Sequence, residues 1–305
     1  LKNSETAVQE LIVILIDGLV FSSYLFMVAV GLTVIFGVMK ILNVTHGSFY
    51  AFGAYMSATL IGAYYQTDWH EFGGFLAIFA AAIIIGVVLG IIIERGVLKF
   101  LYDKDEHLIV LATFALFLVL EDVLLLIWGT DPYFAFEPMG LLGAVDIVEM
   151  TFDVYSLTLI GLAAIVGISL WLGLTRTKWG KLLLAVIYDR EISQAMGINV
   201  AVVFTVTFVI GAMLGALGGA YIAPTISVNP GIGVEVTVLA FAVVVIGGMG
   251  SIPGAMIGAL LVGISRAVAV HKFPEIELFV IYAIMAGVLA LRPEGLFAPA
   301  KVRKI

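Results

Sequence analysis

Nine long apolar stretches separated by short polar loops run through this sequence: residues 11–36, 47–65, 73–93, 108–128, 154–174, 201–222, 234–250, 254–270 and 276–291. A backbone that crosses hydrocarbon must satisfy its own N–H and C=O groups, and about 20 apolar residues suffice for a helix to do so. The pattern predicts an all-α fold, a polytopic membrane helical bundle of about 8–10 spans. The range is open because 276–291 is short and glycines and polar residues break 31–55. Burial inside a soluble core does not account for these stretches: 62% of the 305 residues are hydrophobic and 12% charged, with mean hydropathy +1.17. One transmembrane domain is expected over 1–305, with the polar loop 175–200 inside it.

The first stretch, from Leu11 to Phe36, has neither a basic leader nor a small-residue cleavage pattern, so it reads as a spanning helix rather than a secretion signal. Leu1 in place of methionine leads us to expect a missing start. Cysteine is absent, which removes disulfides, thiolate metal sites and thiol nucleophiles, and a net charge of −7 is no nucleic-acid signature. Of the 15 basic residues, all but Lys2, Arg266 and Lys272 fall on the side of the 94–107 loop, whereas 129–153 has five acids and no Lys or Arg. The positive-inside rule then places the N-terminus outside, and the C-terminus and loop 175–200 in the cytoplasm.

Two apolar regions, Gly31 to Tyr55 and Pro230 to Gly263, are interrupted by glycine, proline and polar residues. Paired interruptions mark discontinuous helices, and irregular backbone at membrane depth is tolerated where it is buried in protein or lines a cavity. The pairing predicts an inverted repeat and a solute path. In the first region Asn43, Thr45, His46 and Ser48 gather where a helix begins. Asn43 or Thr45 suits a cap; contact with solute competes with a purely structural role at a turn. Gly86 with Gly90, Gly211 with Gly215, and Gly250, Gly254 and Gly258 have the spacing of helix-packing seams.

Glu121 and Asp122 interrupt the fourth stretch, and an acid at a helix centre costs about 2.5–3.5 kcal/mol on insertion scales. Both are expected to face the interior, acting as a proton relay or else paired structurally or placed near the interface, within two turns of the helix end. In 175–200, Leu184, Ile187, Glu191 and Ala195 share a helical stripe, with Tyr188 and Asp189 on neighbouring faces. Such a helix suits either the membrane surface, through Arg176, Lys178 and Lys181, or a groove in a partner, with Gly197 as a left-handed cap.

The segment Glu191-Ile192-Ser193-Gln194-Ala195-Met196-Gly197 resembles the coupling loop of binding-protein-dependent ABC importers, with both alanines of the Glu-Ala-Ala-x-x-x-Gly pattern replaced. A fuller resemblance is to the branched-chain amino-acid permeases of the LivH/LivM type. It is carried by Gly31-Leu32-Thr33 through Gly37, by Asn43-x-x-His46-Gly47 and by Gly53-Ala54-Tyr55. In the second half it is carried by Asp189-Arg190-Glu191 with Met196-Gly197-Ile198-Asn199, by Gly247 to Ala255 and by Arg292 to Phe297. The Asn-x-x-His-Gly element is similar to the LivH-type subunit. Against the family pattern, Arg266 stands where many relatives carry Glu, and Glu121-Asp122 where several carry amides.

The resemblance implies a permease subunit in the inner membrane, carrying branched-chain amino acids or related small polar solutes such as urea and short amides. It implies a LivM-type second permease, two cytoplasmic ABC ATPases and a periplasmic or extracellular solute-binding protein, with lipid around the bundle. It assigns ATPase coupling to Tyr188, Asp189, Arg190, Glu191, Met196 and Gly197. Helix breaks and packing fall to Gly47, Gly53, Gly247, Gly248, Gly250, Pro253 and Gly254. No cofactor is expected, nor an enzymatic activity of this chain: between Gly173 and Lys181 the glycine spacing is wrong for a phosphate-binding loop and Leu182 follows the lysine. An ion-gradient-driven transporter or channel working through Glu121 and Asp122 is the alternative, whereas an intramembrane enzyme lacks a convergent acid, base and nucleophile.

Overall fold

The computed structural model describes residues 2–147 and 150–297. Leu1, Glu149, Lys301, Arg303, Lys304 and the C-terminus, which entered the topology argument, lie outside the described residues.

Each of the nine apolar stretches forms a helix: α1 (Lys2–Met39), α2 (His46–Tyr64), α3 (Gly74–Gly96), α4 (Glu106–Trp128), then α6 (Val154–Arg176), α9 (Val200–Ile222), α10 (Ile232–Gly247), α11 (Ile252–Lys272) and α12 (Glu277–Leu291). Three shorter helices occupy loops: α5 (Glu137–Leu142), α7 (Lys178–Tyr188) and α8 (Arg190–Ala195). Strands β1 (Ala144–Ile147) and β2 (Met150–Asp153) pair antiparallel between α5 and α6. Six of the spans are long and apolar enough to cross a membrane, and α10 and α12 are shorter apolar helices. At 16 residues α10 reaches about 24 Å, short of a hydrocarbon core of about 30 Å. The outward surface is apolar: Leu126 is 84% exposed and Leu291 85%. This is a multi-pass membrane protein.

The core is organised around α2, buried almost throughout from His46 to Ala58. It lies among α9, α3 and α10, while α1 packs on α11 and α9. Missing side chains allow these approaches. A Cβ on Gly86 would stand 2.6 Å from the Met213 nitrogen, and one on Gly90 3.1 Å from Val209 Cα, so both glycines of α3 face α9. Gly53 lies so close to the backbone of Ala216 that no Cβ fits between them.

The bundle has two distinct ends. At one, Arg190 of α8 reaches Asp103 in the α3–α4 loop, and the Gly248 turn meets Gly295. At the other, His271 of α11 contacts Asp17 of α1, and Tyr133 pairs with Val228. The loops that the charge asymmetry assigned to opposite sides are thus at opposite ends.

Candidate functional site

The interruptions in the sequence fall between helices, not at every glycine. α1 runs unbroken through Gly31 to Met39; the chain then leaves the helix at Lys40, whose φ of 56° is left-handed, and α2 begins only at His46. In the second region the break is the turn 248–251 between α10 and α11. Gly247 and Gly254 meet backbone to backbone there, Gly248 and Gly250 adopt φ of 104° and 84°, and Gly250 lies on Gly37. Ser251 caps α11 by accepting from the Gly254 N–H (3.1 Å), Pro253 sits in the first turn, and Leu296 and Phe297 donate to the carbonyls of Ile246 and Gly247. Glycine is required at 248 and 250 because other residues rarely adopt that backbone.

Two helices start inside the bundle, against one another. His46, first residue of α2, lies beside Val28 and Gly31 of α1 and Gly215 of α9, near the middle of α9. A Cβ on Gly233, in the first turn of α10, would stand 3.0 Å from the Gly47 carbonyl oxygen and 3.3 Å from Ala51 Cβ. From this shared origin they diverge. One turn into α2, Tyr50 meets Tyr24, so α2 runs antiparallel to α1; α10 leads to Gly250 beside Gly37, so it runs parallel to α1. Two half-helices of opposite direction with their N-termini together are what an inverted repeat generates.

The segment before α2 is held by side chains. Asn43 Oδ1 accepts from the Thr45 hydroxyl (2.5 Å) and the Thr45 N–H (3.2 Å), and the Val44 N–H donates to Thr113 Oγ1 of α4 (3.3 Å). Thr45 does occupy the N-cap position, but its side chain makes no cap bond, because the hydroxyl is committed to Asn43. His46 Nε2 lies 2.8 Å from the Val28 carbonyl oxygen, which assigns the ring proton to Nε2. Asn43, Thr45, His46 and Ser48 are all buried, and Asn43 Nδ2, His46 Nδ1 and Ser48 Oγ have no hydrogen-bond partner among the described residues. Unpaired polar atoms in a core are costly, so their concentration at one helix start signals a place kept for something other than packing.

Glu121 and Asp122 part company. Glu121 turns inward: the Gly231 N–H at the start of α10 donates to its carboxylate, and its Oε1 is buried with no hydrogen-bond partner among the described residues. Asp122 is exposed on the outer face of α4, which corrects the expectation that both acids face the interior. Successive helical residues diverge by 100°, so one inward position excludes the next.

Sequence reasoning missed a second cluster. A cavity of about 690 Å³ between α1, α6, α10 and α11 is lined by Asp17, Tyr24, Tyr50, Glu235, Arg266 and His271, with an apolar wall including Val20 and Ile222. The available signal was an acid and a base inside otherwise apolar stretches, Glu235 and Arg266, but nothing in their spacing brings them together.

The polar loop forms two helices, not one. Asp189, extended at φ −154°, interrupts the run and caps α8 by accepting from the Ile192 N–H (2.9 Å). The single stripe through Leu184, Ile187, Glu191 and Ala195 is therefore broken, because a short acid able to bond the main chain two or three residues on favours a cap over a helix interior. Gly197 is left-handed at φ 85° and closes α8 as expected. Tyr188, Glu191 and Met196 are exposed, whereas Arg190 turns back on Asp103 (3.4 Å) and over the ring of Phe204. Behind it, the nearly fully buried Glu94 of α3 accepts from the hydroxyls of Tyr102 and Thr205 (2.8 Å for Thr205) and pairs with Arg95. Burial first, then the bond to Glu94, pushes the Tyr102 phenol well above its usual range. Among the described residues no His, Asp and Glu group could hold a metal.

Comparison with known proteins adds the following. The family described as branched-chain amino acid transport system, permease component, matches residues 14–289. The high-affinity branched-chain amino acid transport system permease protein BraD of Pseudomonas aeruginosa is 28% identical over 95% of this chain and 97% of its own length. LivH of Escherichia coli, of the same description, is 27% identical over 95% and 96%. The fructose import permease protein FrcC of Rhizobium meliloti is 36% identical over 31% of this chain and 28% of its own. Among solved structures, PsaBC from Streptococcus pneumoniae in complex with Fab superposes with a TM-score of 0.50 at 13% identity, covering 93% of this chain and 91% of that one, a likeness of fold.

Proposed function

From the premise that this chain belongs to the family of branched-chain amino acid transport permease components, we propose that it is a permease subunit of an ATP-binding-cassette importer for branched-chain amino acids. The observation that carries the reading is the meeting of α2 and α10 at Gly47 and Gly233, two half-helices whose starts lie inside the bundle beside unpaired polar atoms. Helix origins of this kind form solute sites in transporters, since they leave backbone donors free at membrane depth. Asn43, Thr45, His46, Ser48 and Glu121 line the passage. Asp122 does not belong with them; its outward position also argues against a gradient-driven relay through both acids.

Residues 1–305 form one permease domain within which 175–200 is the coupling loop. Its exposed residues Tyr188, Glu191 and Met196 meet an ATPase, while Asp189, Arg190 and Gly197 hold the loop in shape. This chain lacks a phosphate-binding loop, so two partner ATPases supply the energy. A LivM-type permease completes the membrane part and an external binding protein delivers solute. In this reading the chain lies in the inner membrane with the loop and the C-terminus in the cytoplasm and the N-terminus outside, an orientation supported by the distribution of basic residues. The charges of the cavity lined by Glu235 and Arg266 separate amino acids from the related solutes urea and short amides, as argued below.

The experiment is uptake of labelled leucine by proteoliposomes holding this chain with its second permease, ATPases and binding protein. Uptake requires enclosed ATP and persists when ion gradients are collapsed. Uptake that follows a gradient without ATP overturns the proposal.

A further inference from the structure

The second cavity lies one helical turn from the break at His46. Tyr24 precedes Val28 by one turn on α1, and Tyr50 follows His46 by one turn on α2; their hydroxyls are 3.4 Å apart, forming a floor between the cavity and the polar cluster. At the opposite end stand Asp17 and His271, joined at 2.7 Å, beside the Ser227 to Asn229 loop. At about 690 Å³ the volume falls within the range of about 300–1,000 Å³ usual for small-molecule sites.

The charges are unevenly satisfied. Asp17 and His271 hold one another. Arg266 is fixed rigidly, its guanidinium 3.9 Å from the centre of the Phe21 ring and its Nη2 on Glu277. A guanidinium has five N–H donors, and Glu277 engages one nitrogen, so donors remain for a second carboxylate. Glu235 has neither a hydrogen bond nor an ion pair among the described residues, although it lines the same cavity. Glu235 is exposed towards this open cavity, so its carboxylate is free to meet a cation there.

Resting on the importer reading above, we propose that this cavity receives the solute as a zwitterion. Glu235 takes the α-ammonium, Arg266 the α-carboxylate, and the wall of Val20, Ile222 and Val236 the branched aliphatic side chain. Tyr24 and Tyr50 part to let it pass to the His46 level. A neutral amide or urea offers neither charge and leaves Glu235 unpaired, so the cavity discriminates in favour of amino acids.

The test uses the complete importer in proteoliposomes, with leucine as the probe, and the assembled complex without binding protein for saturation-transfer NMR of leucine. Glu235→Gln removes no hydrogen bond or ion pair among the described residues and is the principal variant; Arg266→Gln and Ile226→Trp, which fills the cavity that Ile226 also lines, accompany it, with co-elution of the ATPases reporting intact assembly. The expected result is at least a tenfold loss of uptake at subsaturating leucine in each, and loss of the NMR signal. In the wild type, isoleucine displaces leucine, and leucinamide and 4-methylpentanoate, each lacking one charge, do not. Unchanged uptake and binding in Glu235→Gln, or equal displacement by the singly charged analogues, overturns this site while leaving the importer reading intact. A wild-type complex that takes up no leucine overturns both.

Discussion

The Nε2 atom of His46 lies 2.8 Å from the carbonyl oxygen of Val28, so the imidazole pins the first residue of α2 to the middle of α1. The ring also fills the gap between Gly31 and Gly215, where a Cβ on either glycine would stand 2.8 Å from Cε1. A single side chain therefore sets where the half-helix begins.

Replacing His46 with Ala leaves a void between three helices and frees the start of α2, a change of the size that costs about 1–3 kcal/mol. Leucine uptake is expected to fall at every pH from about 5 to 8, because the role is positional and does not depend on imidazole charge. ATPase co-purification is unaffected. Normal uptake across that range removes His46 from the path.

The Gly215→Ala substitution forces a methyl against the His46 ring, and overpacking of this kind costs about 1–3 kcal/mol. In the double variant with His46→Ala, the methyl enters the space the ring vacated. Thermal unfolding of the four proteins in detergent should give a coupling of about 0.5–3 kcal/mol, favourable to the double variant. Strict additivity contradicts the contact.

Glu94 ties α3 to Tyr102 and to Thr205 of α9, beneath the point where Arg190 docks. Glu94→Ala strands the Tyr102 hydroxyl and leaves Thr205 only its bond to the Ala201 carbonyl; it is expected to destabilise by about 1–3 kcal/mol, and to loosen the 190–199 loop as measured by hydrogen exchange. Tyr102 adds an alkaline limit. Its folded-state pKa is raised above the ordinary 10.0, so the unfolded chain loses this proton first, and stability declines as pH climbs beyond about 10. In Tyr102→Phe that part of the alkaline loss is absent; an unchanged pH profile disproves the assignment.

Glu191 is exposed on α8, whereas its neighbour Arg190 is engaged by Asp103, so the two charges should separate experimentally. Glu191→Lys is expected to weaken ATPase association by about 2–5 kcal/mol, by placing an unpaired or like charge in the partner's groove, without altering the fold. Arg190→Ala acts through the position of the loop, raising exchange across 189–199. Equal ATPase recovery and equal solute-stimulated hydrolysis with Glu191→Lys exclude α8 from coupling.

Nine helices and the membrane class were legible in the sequence because apolar length reports directly on solvent: a stretch such as 108–128 has one stable conformation in hydrocarbon. Gly197 was legible too, since a helix that must stop favours a residue free to take positive φ, and so were the glycines of 247–254. The split at Asp189 was not, because charge periodicity alone does not reveal that a carboxylate will bond the main chain ahead of it. Nor was the fate of Asp122, since neighbours in sequence on a helix point apart by 100° and only packing decides which is inward.

By itself the sequence determined that this chain lives in a membrane, which family it resembles, and that Asn43 to Ser48 and Gly247 to Gly254 interrupt helices. Only the tertiary structure decided that α2 and α10 begin at one place and run in opposite directions, and that Glu235 shares a cavity with Arg266 and Tyr24. The reason is that helical pattern is encoded over three or four residues, whereas the meeting of α2 with α10 and of Tyr24 with Glu235 joins segments about two hundred residues apart, and even Glu235 and Arg266 lie on different helices. These contacts arise where Gly31, Gly215 and Gly233 lack side chains, so that backbones close around the His46 ring and the start of α2.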